Sequence, residues 1–82
     1  MQPKFRLDIQ QFFESKRIAS NCNAITILNT STTIPFWVNN VQIVPGNQFL
    51  VEGNENEIDE TEYFIDMKGL QGQCTVIKKM FV

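Results

Sequence analysis

The sequence predicts an all-β chain: a small antiparallel β-sandwich or barrel of about six to seven strands, with an extended or partly helical N-terminal segment. Three observations carry this reading. Phe5, Leu7 and Ile9 alternate with Lys4, Arg6, Asp8 and Gln10, the period-two pattern of a half-buried strand. From residue 24 onward the apolar runs are rich in β-branched and aromatic residues. Turn residues then break the chain roughly every 8–12 residues, the spacing of sandwiches and small barrels.

At 82 residues, 43% of them hydrophobic, the chain holds one core. Residues 1–20 are expected to form an N-terminal arm and residues 21–82 a single sandwich-like domain. Within the arm, 4–10 reads as a strand or extended arm. The stretch 11–20 is ambiguous, and a short helix or turn is expected over about 10–16. Residues 24–29 make the next strand, with a loop at Thr30-Ser31-Thr32. Residues 33–38 follow, with Pro35 marking an edge or a bulge. Asn39-Asn40 fits a two-residue hairpin turn, since Asn tolerates positive φ. Residues 41–44 return, and Pro45-Gly46 fits the centre of a type II turn. Residues 47–52 form a strand, 53–57 a polar loop, and 62–67 and 74–82 the last two strands, joined by a glycine-punctuated turn at 68–73.

Charge is unevenly placed. Lys4, Arg6, Lys16 and Arg17 outnumber Asp8 and Glu14 in the first 20 residues. Residues 21–51 carry no charge at all. Glu52, Glu55, Glu57, Asp59, Glu60, Glu62 and Asp66 make an acidic run, and Lys68, Lys78 and Lys79 follow it. No concentrated basic face exists, which argues against a nucleic-acid partner. No apolar run of the ~20 residues needed for a bilayer is present, so no membrane insertion is expected. The start has no apolar core of a secretory leader, so no secretory route is expected either.

Chemistry is sparsely provided for. The chain has no histidine, the commonest general base and metal ligand. Serine and cysteine nucleophiles therefore lack a usual base, and no cofactor or metal is expected. The acidic run has calcium-type oxygens but not the EF-hand spacing, and reads as a solvated loop or a complement to a basic surface. Its carboxylates have no visible cleft to raise one of them for glycoside hydrolysis. Cys22 and Cys74 read either as small apolar side chains at strand ends or as a disulfide joining early and late strands.

The charge-free block is the most informative feature. A sheet with a solvated face usually carries Lys, Glu or Arg there, and charge is depleted at the centre of interfaces. Uncharged edges also invite pairing with another chain. The expected role is subunit contact, with Phe5, Leu7, Ile9, Phe36, Trp37 and Val38 as partner-binding residues. The arm would add a strand to a neighbouring subunit or to its own sheet, with Phe5, Leu7 and Ile9 as anchors. On alternation Trp37 faces opposite to Phe36, so one of the two is core and the other can lie outside. That leaves a second reading, a carbohydrate-binding or adhesin-like module using Trp37 with Asn39 or Asn40. A third is a small inhibitor that engages a basic surface through residues 52–62.

The runs Ile25-Thr26-Ile27-Leu28-Asn29-Thr30, Phe36-Trp37-Val38-Asn39-Asn40-Val41, Pro45-Gly46-Asn47-Gln48-Phe49 and Glu62-Tyr63-Phe64-Ile65 together resemble small β-rich virion proteins of bacteriophages. In those a Val-Asn turn and a Pro-Gly turn build a hairpin that leads to an acidic loop. Asn40 stands here where Gly is commoner. The resemblance implies no catalytic residue. It implies a capsid, vertex, decoration or tail-associated subunit present in many symmetric copies, a homo-oligomer or a partner of other virion proteins. It also implies location in a virion assembled in the host cytoplasm.

Overall fold

The computed structural model describes residues 4–82. The chain forms eight strands: β1 Phe5–Phe12, β2 Lys16–Ala19, β3 Ala24–Asn29, β4 Phe36–Val38, β5 Val41–Ile43, β6 Gln48–Val51, β7 Glu62–Asp66 and β8 Cys74–Phe81. Two antiparallel sheets result, in the orders β1-β8-β3-β6 and β2-β7-β4-β5.

The pairings have a simple logic. β1 pairs with β8, β2 with β7, β3 with β6 and β4 with β5, as in one long folded hairpin. Rolling that hairpin brings β8 beside β3 and β7 beside β4, which zips each sheet into four strands. This eight-stranded, two-sheet arrangement is a jelly roll.

The N-terminal region differs most from expectation. Strand β1 continues to Phe12, whose ring packs against the core. Of the helix or turn expected over about 10–16, no helix is present among the described residues; the chain bends at Phe13 and Glu14, and a strand, β2, follows in the ambiguous stretch. It raises the count to eight. Ile18 explains it: the one buried side chain of β2, it enters the core at 7% exposure, opposite Tyr63. Residues 5–19 therefore belong to both sheets of the domain, and no boundary falls at residue 20. Residues 1–3 of the expected arm lie outside the described residues.

The turns follow from local chemistry. Asn39 and Asn40 both take positive φ, 46° and 71°, the pair a two-residue type I′ hairpin needs. Gly46 sits at φ 86° while Asn47 N–H donates to Val44 O at 3.0 Å, closing a Pro45-Gly46 turn of the type II form.

The core lies between the sheets. Ile25, Ile27 and Val76 of the first sheet meet Phe36, Val38 and Ile65 of the second, all essentially fully buried, with Met67 just beyond β7. Asn29 ties the two sheets at one corner. Its buried amide donates to Ile34 O at 2.9 Å and Ile43 O at 2.8 Å, and its Oδ1 accepts from Ser31 N–H at 3.0 Å.

Candidate functional site

Inward residues of each strand fix the outward ones, because side chains alternate across a sheet. Ile25, Ile27, Cys74 and Val76 point into the core. Ala24, Thr26, Ile77, Lys79 and Phe81 therefore face outward on the first sheet. Cross-strand register adds Phe5, Leu7 and Ile9 from β1 and Leu50 from β6. Phe5, Leu7, Ile9 and Leu50 are each about half exposed, at 53%, 52%, 59% and 48%. Phe5 meets Phe81 edge-on at 6.2 Å between ring centres. Lys79, which lies within this face, holds its ammonium 4.4 Å from the Phe5 ring and 5.0 Å from the Phe81 ring.

The first part of the acidic run forms a wall at the end of this face. Loop 52–57 and the outer face enclose an open cleft of about 900 Å3, lined by Leu7, Leu50, Ile77 and Phe81 on the floor. Asn23 builds the wall. Its buried amide donates to Asn54 O (3.1 Å), Glu55 O (3.3 Å) and Glu57 O (2.7 Å), while its Oδ1 accepts from Phe81 N–H at 2.8 Å. A Cβ on Gly53 would collide with the Asn23 carbonyl, so only glycine lets the loop come this close.

Asp59 anchors the chain after the loop. Its N–H donates to Cys22 O at 2.8 Å, and its carboxylate accepts from Tyr63 Oη at 2.7 Å and Thr61 N–H at 3.1 Å. Burial works to raise this carboxyl, but the hydrogen bonds from Thr61, Tyr63 and Ser20 outweigh it and hold it at about 2. Tyr63 moves up, from burial first and then from its bond to Asp59.

The outer face of the second sheet is different in kind. Trp37 is half-buried there, and Lys68 holds its ammonium 4.9 Å from the indole. Arg17 lies over the Phe64 ring at 5.0 Å and pairs with Glu62 at 3.2 Å. The side chain of Asn39 is occupied at the hairpin: Nδ2 donates to Glu62 O at 3.3 Å, and Oδ1 accepts from Phe64 N–H at 2.8 Å.

One expectation needs correction, and of the two readings of the cysteines the disulfide falls. Phe36 and Val38 have no exposed surface, so they hold the two sheets together rather than meeting a partner. Cys22 and Cys74 are free thiols, both buried. Register keeps them apart: Cys74 pairs with Asn29 at one end of β3, while Cys22 precedes Ala24 at the other. At about 3.3 Å per residue, that separation is far beyond the roughly 4.4–6.8 Å between Cα atoms that a disulfide spans. Burial pushes the Cys74 thiol up to about 12, which leaves it unreactive.

Phe5, Leu7 and Ile9 lie together on the outer face. The sequence reading missed Leu50, Ile77 and Phe81 beside them, and Asn23 beneath the loop. A signal for β8 existed. Both alternating sets of 74–81 contain apolar residues, Cys74 and Val76 on one side and Ile77 and Phe81 on the other, so neither face reads as purely solvated. No known protein family, curated protein or solved structure matches the chain.

Proposed function

We propose that this chain is a non-enzymatic structural subunit of the bacteriophage virion kind, a minor capsid, vertex or decoration protein. It works through protein–protein contacts in a symmetric assembly, with its own copies or with other virion proteins. The observation that carries the reading is the contiguous apolar outer face of the first sheet. Exposed apolar patches of this sort mark interaction surfaces. Jelly rolls serve in viral capsids, although they also serve in lectins and cupins, so the fold supports the reading by analogy alone. The virion setting comes from the resemblance of the hairpin segments.

The carbohydrate-binding alternative is less well supported. Its platform, Trp37, is half-buried and approached by Lys68, and the Asn39 amide is already spent on Glu62 and Phe64.

Light scattering of the purified chain over a wide concentration range tests the assembly. Multiples of the 9.5 kDa chain mass are expected. Leu50→Glu, at an exposed position on the same face, should weaken association about tenfold or more without unfolding the chain. A chain that stays monomeric at every concentration, and is missing from density-purified particles, overturns the proposal.

A further inference from the structure

Strand β1 is an open edge of the first sheet, eight residues long. Which of its backbone groups are free can be read from one bond. Val82 N–H donates to Lys4 O at 2.8 Å, so the even-numbered residues of β1 turn their N–H and C=O toward β8. Alternation leaves the N–H and C=O of Phe5, Leu7, Ile9 and Gln11 directed at the open edge. Long edges of this kind are templates for pairing with another strand.

The side chains along this edge form a palindrome centred on Leu7. Antiparallel pairing with a second β1 in that register sets Leu7 opposite Leu7, Phe5 opposite Ile9, and Arg6 opposite Asp8. The apolar pairs fall on the outer face and continue the patch already there. The two Arg6–Asp8 pairs fall on the other face, where both residues have surface available. Among the described residues neither is in a salt bridge. Lys78 lies across from Asp8 in the sheet, but its ammonium goes to the Ala19 carbonyl at 2.8 Å instead.

The neighbouring registers set like charges across the axis or offer no ion pair. Centring the pair on Arg6 sets arginine against arginine, and centring it on Asp8 sets aspartate against aspartate, both unfavourable directly across strands. Centring on Ile9 sets Arg6 against Phe12 and Asp8 against Gln10, with no ion pair. A one-residue slip from any of these sends apolar side chains to the opposite face.

We infer that two copies of this chain pair through their β1 edges, antiparallel about a two-fold axis at Leu7, to make one continuous eight-stranded sheet. This rests on the reading above that the chain associates with its own copies, and it assigns one contact of that assembly. The contact is isologous, as a two-fold requires, so each ion pair occurs twice.

Charge exchange tests the register. Arg6→Asp alone, or Asp8→Arg alone, places like charges across the axis twice and should weaken the dimer about tenfold or more. The double variant R6D/D8R restores opposite charges and should restore the dimer. Leu7→Pro removes an N–H that the single chain leaves unused, so the fold should keep its far-UV circular dichroism while the dimer is lost. If that variant does not fold, the charge exchange still decides. Native mass spectrometry and sedimentation supply the readout. An oligomer that ignores R6D and D8R but falls apart with L50E overturns the β1 pairing and leaves the assembly reading in place. A monomer at all concentrations that is nonetheless a constant component of purified particles overturns only the self-pairing. A monomer missing from particles overturns both.

Discussion

Asn23 and Asn29 show how much of this molecule rests on single polar side chains. Both sit in the charge-free block, both are almost fully buried, and both have their side-chain polar atoms engaged. A buried amide left without partners costs ~1–3 kcal/mol per unmet group, so such residues are held where the fold places them. Nothing in their local sequence separates them from the exposed Asn39 and Asn40, since the loop 54–57 carbonyls that meet Asn23 and the Ile43 carbonyl that meets Asn29 are brought in by the fold. Asp59 yields the residue-scale prediction. Its folded-state value of about 2 lies below the usual 3.8, so its contribution is complete above pH ~4 and is lost as the pH falls toward ~2. Urea titrations should show stability dropping through that window. Asp59→Asn should cost on the order of 1 kcal/mol at neutral pH, discounted because water still screens the carboxylate. The gap between variant and wild type should close as the pH approaches 2. A gap that is constant with pH would contradict the assignment.

At the scale of elements, the readable parts were those whose signals are local. The Asn39-Asn40 and Pro45-Gly46 turns need particular φ values, and their residue types declare them. Strand 24–29 matches its observed bounds because alternation and β-branching coincide there. β2 was illegible because its single inward residue, Ile18, gives no period to count, and only pairing with β7 defines it. The same limit hid half of the candidate site. Phe5, Leu7 and Ile9 stand out by alternation, whereas Leu50 joins them only through the β3–β6 register and Ile77 and Phe81 only through β8. Phe36 was misplaced because an apolar strand read alone does not say which side is core. The acidic loop is the element with the sharpest dependence on one position. Gly53→Ala would drive a methyl into the Asn23 carbonyl, forcing loop 52–57 away from the amide that holds it. A loss of about 1–3 kcal/mol is expected, of the size that overpacking usually costs. Cleavage after Glu55 or Glu57 by a glutamate-specific protease should quicken in parallel. Unchanged cleavage would mean the loop does not depend on Asn23.

For the whole molecule, the roll joins the two ends of the chain. β1 and β8 are neighbours, and β8 sits between β1 and β3, so β8 is central to the first sheet and β1 is not. Removing β8 leaves β1 without a partner and strips Cys74 and Val76 from the core, whereas removing β1 leaves β8, β3 and β6 still paired. The two ends are therefore unequal. A chain ending at residue 73 should be unfolded, with flat near-UV circular dichroism and no cooperative melt. A chain starting at residue 13 should keep a cooperative but weaker transition, since it loses Phe12 packing and one edge strand rather than a sheet centre. Comparable loss of structure from both truncations would show that the β1–β8 pairing, not the β8–β3 pairing, closes the sandwich. A deletion of β1 that removes self-association while keeping the fold would also fit the edge contact centred on Leu7, which point variants at Arg6 and Asp8 then resolve to a register.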